Sequence, residues 1–211
     1  MVVTPRWLFV GLGNPGERYL HTRHNLGFWT LDAFKALVGA GPWRLRGPML
    51  AAVGDVASHP VALVKPLRWM NLSGGVVASA LSSWGASPEQ LVVVCDDVAL
   101  PTGRIRIRSG GSSGGHKGLG SIIGSLGSNR FVRVRIGVGS GRQPEQDLSE
   151  FVLQPMADED VRRCMVICRR AAEEIESCVA RGLFASRTLD AGLASELARG
   201  ATVPAGTVAA V

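Results

Sequence analysis

The chain has 211 residues, enough for one well-buried core, and its 46% hydrophobic and 19% charged content excludes fibrous and disordered classes. A net charge of +6 and a pI near 9.8 favour a polyanionic partner. No apolar run nears the roughly 20 residues that span a bilayer, and Met1 to Arg6 lacks a charged-then-apolar leader, so a cytosolic, membrane-free protein is expected.

In chain order, Trp7 to Val10 is a short apolar run ending in Gly11-Leu12-Gly13-Asn14-Pro15-Gly16, which predicts a buried strand entering a turn. Phe28, Leu31, Phe34 and Val38 then recur at helical spacing, so the loop from Gly11 to Asn25 joins a strand to a helix. Pro60 to Lys65 and Leu91 to Cys95 are further strand-type runs, with a helical stripe of Val77, Ala80, Leu81 and Trp84 between them. Arg104-Ile105-Arg106-Ile107-Arg108 and Arg133-Val134-Arg135-Ile136 alternate charge with apolar side chains, the pattern of strands with one wet face. Between them, Gly110 to Gly118 is a flexible linker or a loop offering backbone amides to an anion. Val161, Met165, Cys168, Ala172, Ile175 and Val179 predict a long amphipathic helix, started by Asp158, Glu159 and Asp160. The expected fold is α/β: a single domain over residues 1–199 with a mixed, mostly parallel twisted sheet and helices on both faces. Residues 200–211 are expected to form a flexible tail.

Polar residues cluster just past strand ends: Asn14, His24 and Asn25, then Asn71, then Asp96 and Asp97. In open α/β sheets ligands bind outside the carboxyl ends of strands, so these groups are candidates for one site. A histidine can take a proton from water, a carboxylate on its other nitrogen fixes the tautomer, and an asparagine can donate to a developing oxyanion. Against this stands the commoner use of Asn and Asp as turn-formers, and of His24 as a helix cap. Serine-based hydrolysis is expected to be disfavoured for want of a Gly-x-Ser-x-Gly elbow anywhere in the chain, an expectation corrected below. Metal chemistry is disfavoured because His21, His24, His59 and His116 include no His-x-x-x-His pair on a helix and no His-Glu-x-x-His, and the loop pair His21 and His24, three apart, is weak support for a shared ion. Cys95, Cys164, Cys168 and Cys178 lack CxxC spacing and suggest buried thiols. The glycines after the first strand fall short of a dinucleotide fingerprint. If the arginine-bearing faces of the two alternating strands coincide, they make a field for phosphate oxygens; a solvated strand face is the alternative.

The strings Val10-Gly11-Leu12-Gly13-Asn14-Pro15-Gly16, Thr22-Arg23-His24-Asn25, Met70-Asn71-Leu72-Ser73-Gly74, Cys95-Asp96-Asp97, Gly114-Gly115-His116-Lys117-Gly118 and Arg133-Val134-Arg135-Ile136-Gly137 resemble, in order and spacing, the bacterial peptidyl-tRNA hydrolase family from about Trp7 to beyond Phe151. The resemblance implies a monomeric, cofactor-free esterase acting in translation and ribosome rescue on peptidyl-tRNA. It also implies that His24 is the general base, that Asp96 orients it, and that Asn14 distinguishes N-blocked from free aminoacyl ends. Tyr19, Trp69 and Asn71 match positions lining the channel for the peptide and the tRNA 3′ end, and Arg108 and Arg135 match basic positions for the tRNA 5′-phosphate. Two positions depart from the family pattern: Lys117 replaces the usual Asn, exchanging an amide for a cation that only donates, and Cys95 stands where a His often precedes the Asp. Lys117 is therefore expected to contact substrate, holding a carbonyl or phosphate. A splicing branch of the same family supplies the alternative, RNA binding without catalysis; retention of Asn14, His24, Asn71 and Asp96 favours hydrolysis.

Overall fold

The computed structural model describes residues 4–141, 145–193 and 195, so the expected tail at 200–211 lies outside the described residues. Strand β1 (Trp7–Gly11) leads through two 3₁₀ turns, Glu17–Tyr19 and Arg23–Asn25, into helix α1 (Leu26–Leu37). There follow β2 (Arg44–Arg46), β3 (Met49–Val56) and β4 (His59–Pro66), then α2 (Ser73–Trp84) and β5 (Leu91–Asp97). The remainder is β6 (Arg104–Ser109), α3 (Lys117–Leu126), β7 (Val132–Gly137), α4 (Leu148–Leu153), α5 (Asp158–Ala180) and β8 (Arg187–Asp190). No described helix is long and apolar enough to cross a membrane.

The strands form one sheet of order β2-β3-β4-β1-β5-β7-β6-β8. Parallel pairing is confined to the centre, β4-β1-β5-β7, and the four outer pairs are antiparallel. The expectation of a mostly parallel sheet is corrected to this mixed arrangement. A run of apolar residues reports burial and not direction, and the added strands β2, β3 and β8 pair antiparallel at or near the edges. Helices do cover both faces, with α1 packed on α5 on one side and α2 on α3 on the other. All seven residues of β5 are buried, so Val92, Val93 and Val94 anchor its position with about 1.5–3 kcal/mol each.

A close approach of backbones sets α1 against the central strands. A Cβ on Gly27 would lie 2.3 Å from the Leu12 nitrogen and 2.5 Å from the Val94 oxygen, so no larger residue fits without displacement. This contact brings the turn Arg23–Asn25, directly before α1, over the end of β5.

A second constraint is an ion pair inside the core. Lys65 on β4, 1% exposed, donates to Asp32 Oδ1 on α1 at 2.5 Å, and Trp43 Nε1 donates to the same oxygen at 2.9 Å. Burial pulls the Lys65 pKa below its ordinary value while Asp32 opposes the shift. Removing either member of such a pair leaves the other charge buried without its partner, whereas replacing both by apolar chains does not. Asp32→Ala is therefore expected to cost about 3–5 kcal/mol in urea unfolding, and the double replacement Asp32→Leu/Lys65→Met far less. Equal losses in the two variants would show that packing, not charge, dominates here.

Candidate active site

At the carboxyl ends of β1 and β5 the chain forms a cleft of about 660 Å³. Asn14, Tyr19, His24, Trp69, Asn71 and Asp96 line it, as do Lys117 and Arg135. Eight of the nine expected site residues thus meet at one place, although they span Asn14 to Arg135 along the chain. Arg108 is not among the lining residues; it is exposed on β6, and its Nη1 donates to the carbonyl of its neighbour Ile107.

His24 and Asp96 are hydrogen-bonded directly. His24 Nδ1 lies 2.8 Å from Asp96 Oδ1, and an ionised carboxylate only accepts, so Nδ1 carries the proton and Nε2 is left as the basic nitrogen. His24 is therefore not a helix cap. A second imidazole, His116, completes the group: its Nε2 lies 3.1 Å from the same Oδ1, and the two rings are 4.9 Å apart. The His116 tautomer is fixed by α3, because its Nδ1 accepts from the Gly118 and Leu119 amides at the helix start. Nε2 must then be the protonated nitrogen. Burial alone would raise the Asp96 pKa, but attraction to His24 and His116 and their hydrogen bonds win, holding the carboxyl well below the usual carboxylate range. His116 was missed in the sequence, where its motif was read for loop amides and for Lys117.

The asparagines are held as firmly. Asn25 ties the loop after β1 to the turn before α1, accepting from the Asn14 amide at 2.8 Å and donating to the Asn14 carbonyl at 3.0 Å. The Asn14 side chain accepts the Met70 amide through Oδ1 at 2.8 Å. With that oxygen engaged, the Nδ2 donor is the polar end left for the cleft. Asn71 and Lys117 are exposed at the cleft, the latter as the first residue of α3. Tyr19 and Trp69 meet edge to face at 5.8 Å, with Arg18 over the Tyr19 ring at 4.6 Å, and Trp69 is 48% exposed. Leu148, Val152 and Leu153 of α4 supply the opposite apolar wall. Their part in the site was not legible, since a six-residue helix carries too little periodicity to read.

Two expectations need correction. Arg133 and Arg135 do not lie on a wet strand face: Arg133 is fully buried and the Arg135 side chain only 17% exposed. The arginine faces of β6 and β7 do coincide, with Arg108 opposite Arg133 and Arg106 opposite Arg135, but the loop Gly110–Gly115 folds over the β7 pair. The other correction concerns serine. The spacing Gly-x-Ser-x-Gly occurs twice, overlapping, in Gly110-Gly111-Ser112-Ser113-Gly114-Gly115, so spacing does not exclude a serine nucleophile. Geometry argues against one, since both imidazoles bond to Asp96 and no described hydrogen bond joins either to Ser112 or Ser113. The four cysteines are buried free thiols.

His24, Asp96 and His116 place their ligand atoms within 4.8 Å of one another, close enough for a cation to be considered. The donor set fits poorly. His116 spends Nδ1 as an acceptor, so binding a metal through Nε2 would demand an imidazolate or loss of the helix cap.

Comparison with known proteins gives one answer. A family model described as peptidyl-tRNA hydrolase matches residues 8–191. The peptidyl-tRNA hydrolase of Chloroflexus aggregans is 40% identical over 183 residues, covering 85% of this chain and 96% of that protein. That of Thermotoga petrophila is 47% identical over 152 residues, 72% of this chain and 78% of the other. A crystal structure of peptidyl-tRNA hydrolase from Acinetobacter baumannii aligns with a TM-score of 0.74 at 30% identity, over 85% of this chain and 91% of that one.

Proposed function

The chain belongs to the peptidyl-tRNA hydrolase family, and we propose that it cleaves the ester between an N-blocked peptide and the tRNA 3′ end using His24 as general base and no metal. The observation that carries this reading is the His24–Asp96 hydrogen bond at 2.8 Å, which leaves Nε2 free to take a proton from water. Asp96 stabilises the imidazolium as it forms, and His116 holds the same carboxylate oxygen from the other side. Water attacks the ester carbonyl, the carbon–oxygen bond to the ribose breaks, and His24 returns its proton to the leaving hydroxyl. The metal-free reading is supported by the His116 tautomer, whose protonated Nε2 offers a cation no lone pair.

Asn14 supplies the selectivity. Its Nδ2 donor suits the carbonyl of a blocked amino group and is mismatched with a free ammonium, which also only donates. Tyr19, Trp69 and Asn71 receive the peptide and the 3′ end, and Lys117 holds a carbonyl or phosphate at the cleft mouth. Arg108 is the contact for the tRNA 5′-phosphate, and Arg135 the second basic position there. The protein acts as a monomer in the cytosol, where translation generates its substrate.

The test uses enzyme treated with EDTA and desalted, incubated with N-acetyl-aminoacyl-tRNA and with unblocked aminoacyl-tRNA. Cleavage of the blocked substrate alone, at a rate equal to untreated enzyme, is expected. Binding without cleavage of either would favour the RNA-binding alternative. Activity lost on chelation and restored by zinc would overturn the metal-free mechanism.

A further inference from the structure

Arg135 does not stand free in the cleft. Its Nη1 donates to Asp97 Oδ2 at 3.2 Å and its Nη2 to the Ser112 carbonyl at 3.0 Å. Beside it on β7, Arg133 lies against the Phe131 ring and donates through Nη2 to the Gly111 carbonyl at 2.8 Å. Two guanidinium groups therefore hold consecutive carbonyls of one loop from beneath. The loop has little stiffness of its own, for Gly110, Gly111, Gly114 and Gly115 all adopt positive φ. It ends at His116, whose Nε2 must reach Asp96, and Asp97 is the next residue after that carboxylate. Gly114 lies so near the guanidinium that a Cβ there would be 3.1 Å from Nη1. Arg108, by contrast, is exposed, and among the described residues its side chain donates to the Ile107 carbonyl of its own strand.

We propose that Arg135 is a positioning residue: by clamping the Ser112 carbonyl to Asp97 it sets the glycine loop so that His116 meets Asp96, which leaves Arg108 as the principal phosphate contact. This rests on the hydrolase reading and assigns Arg135 a task beyond phosphate binding. In the free enzyme its two terminal nitrogens are spent on the protein. Without them the loop loses its tie to β5, His116 no longer dwells on Asp96, and the carboxylate that orients His24 loses one of its two imidazole donors.

The experiment compares Arg135→Met and Gly114→Ala with the parent protein on peptidyl-tRNA and on a short CCA-ended fragment lacking the 5′-phosphate. Gly114→Ala keeps the arginine and its charge while crowding the guanidinium and straining the loop at a positive φ, so it disturbs the seat of the loop on Arg135 without removing a cation from any phosphate contact. Both variants should lose about 10- to 100-fold in kcat on both substrates, the range a catalytic group misplaced by about 1 Å produces. Arg108→Ala should instead raise KM for peptidyl-tRNA. A readout independent of turnover is the long-range ¹H–¹⁵N spectrum of the histidine rings. The protonated-Nε2 pattern of His116 should be sharp in the parent and averaged in both variants. A raised KM for peptidyl-tRNA with unchanged kcat on the fragment in Arg135→Met would overturn the proposal, as would an unaltered His116 spectrum in either variant. If the parent protein cleaves neither substrate, the hydrolase reading falls, and the ring spectra alone decide the brace.

Discussion

Replacing His24 by Ala is expected to lower kcat by about 10²–10⁴-fold, the contribution of a positioned general base, while KM changes little. The imidazole sits in a 3₁₀ turn at the cleft and contributes to neither apolar cluster of the core. Its ring bonds to Asp96 through Nδ1, and of the two imidazoles that line the cleft it alone keeps a nitrogen outside the described hydrogen bonds. His116 cannot substitute, since Nδ1 caps α3 and Nε2 is already protonated toward Asp96. Single-turnover measurement on N-acetyl-aminoacyl-tRNA isolates the chemical step from release. A variant that hydrolyses at the parent rate would remove His24 from the mechanism.

Asp96→Asn is expected to lower kcat by up to about 10⁴-fold, the loss seen when a buried carboxylate behind a catalytic histidine becomes an amide. The reason lies in the double use of Oδ1. An Asn offers one acceptor and one donor end, so at the Oδ1 position either both imidazoles keep a weaker, uncharged acceptor or both face an amino group. In the second case His24 must present an unprotonated Nδ1, and the proton moves to Nε2, where the base is needed. The same substitution carries a stability signature. The folded pKa of Asp96 lies below the unfolded value of about 3.9, so its ionised form contributes stability that is complete above that value and lost as pH falls through the folded one. The parent should therefore exceed the variant in urea midpoint at neutral pH, and the gap should narrow below about pH 4. A gap independent of pH, or an unchanged pH–rate profile, would count against the ionic pairing.

The sequence by itself determined the central strands, the three longest helices and the place of the site. Apolar periodicity separated β1, β4 and β5 from α1, α2 and α5, because a helix face and a buried strand repeat differently along the chain. The family motifs put Asn14, His24, Asn71 and Asp96 at one cleft, as found, since strand ends on one side of a sheet converge whatever their separation along the chain. Only the tertiary structure decided which charged groups were free. Period two said that Arg133 and Arg135 share a face, but not that a loop would fold over it and take up their donors. His116 joined the site in the same way. Its partner Asp96 lies 20 residues earlier and His24 a further 72 before that, and no local pattern records a hydrogen bond across such distances. The tautomers followed last, that of His24 fixed by the Asp96 carboxylate at Nδ1 and that of His116 by the two backbone amides that faced its ring once α3 had docked beside the cleft.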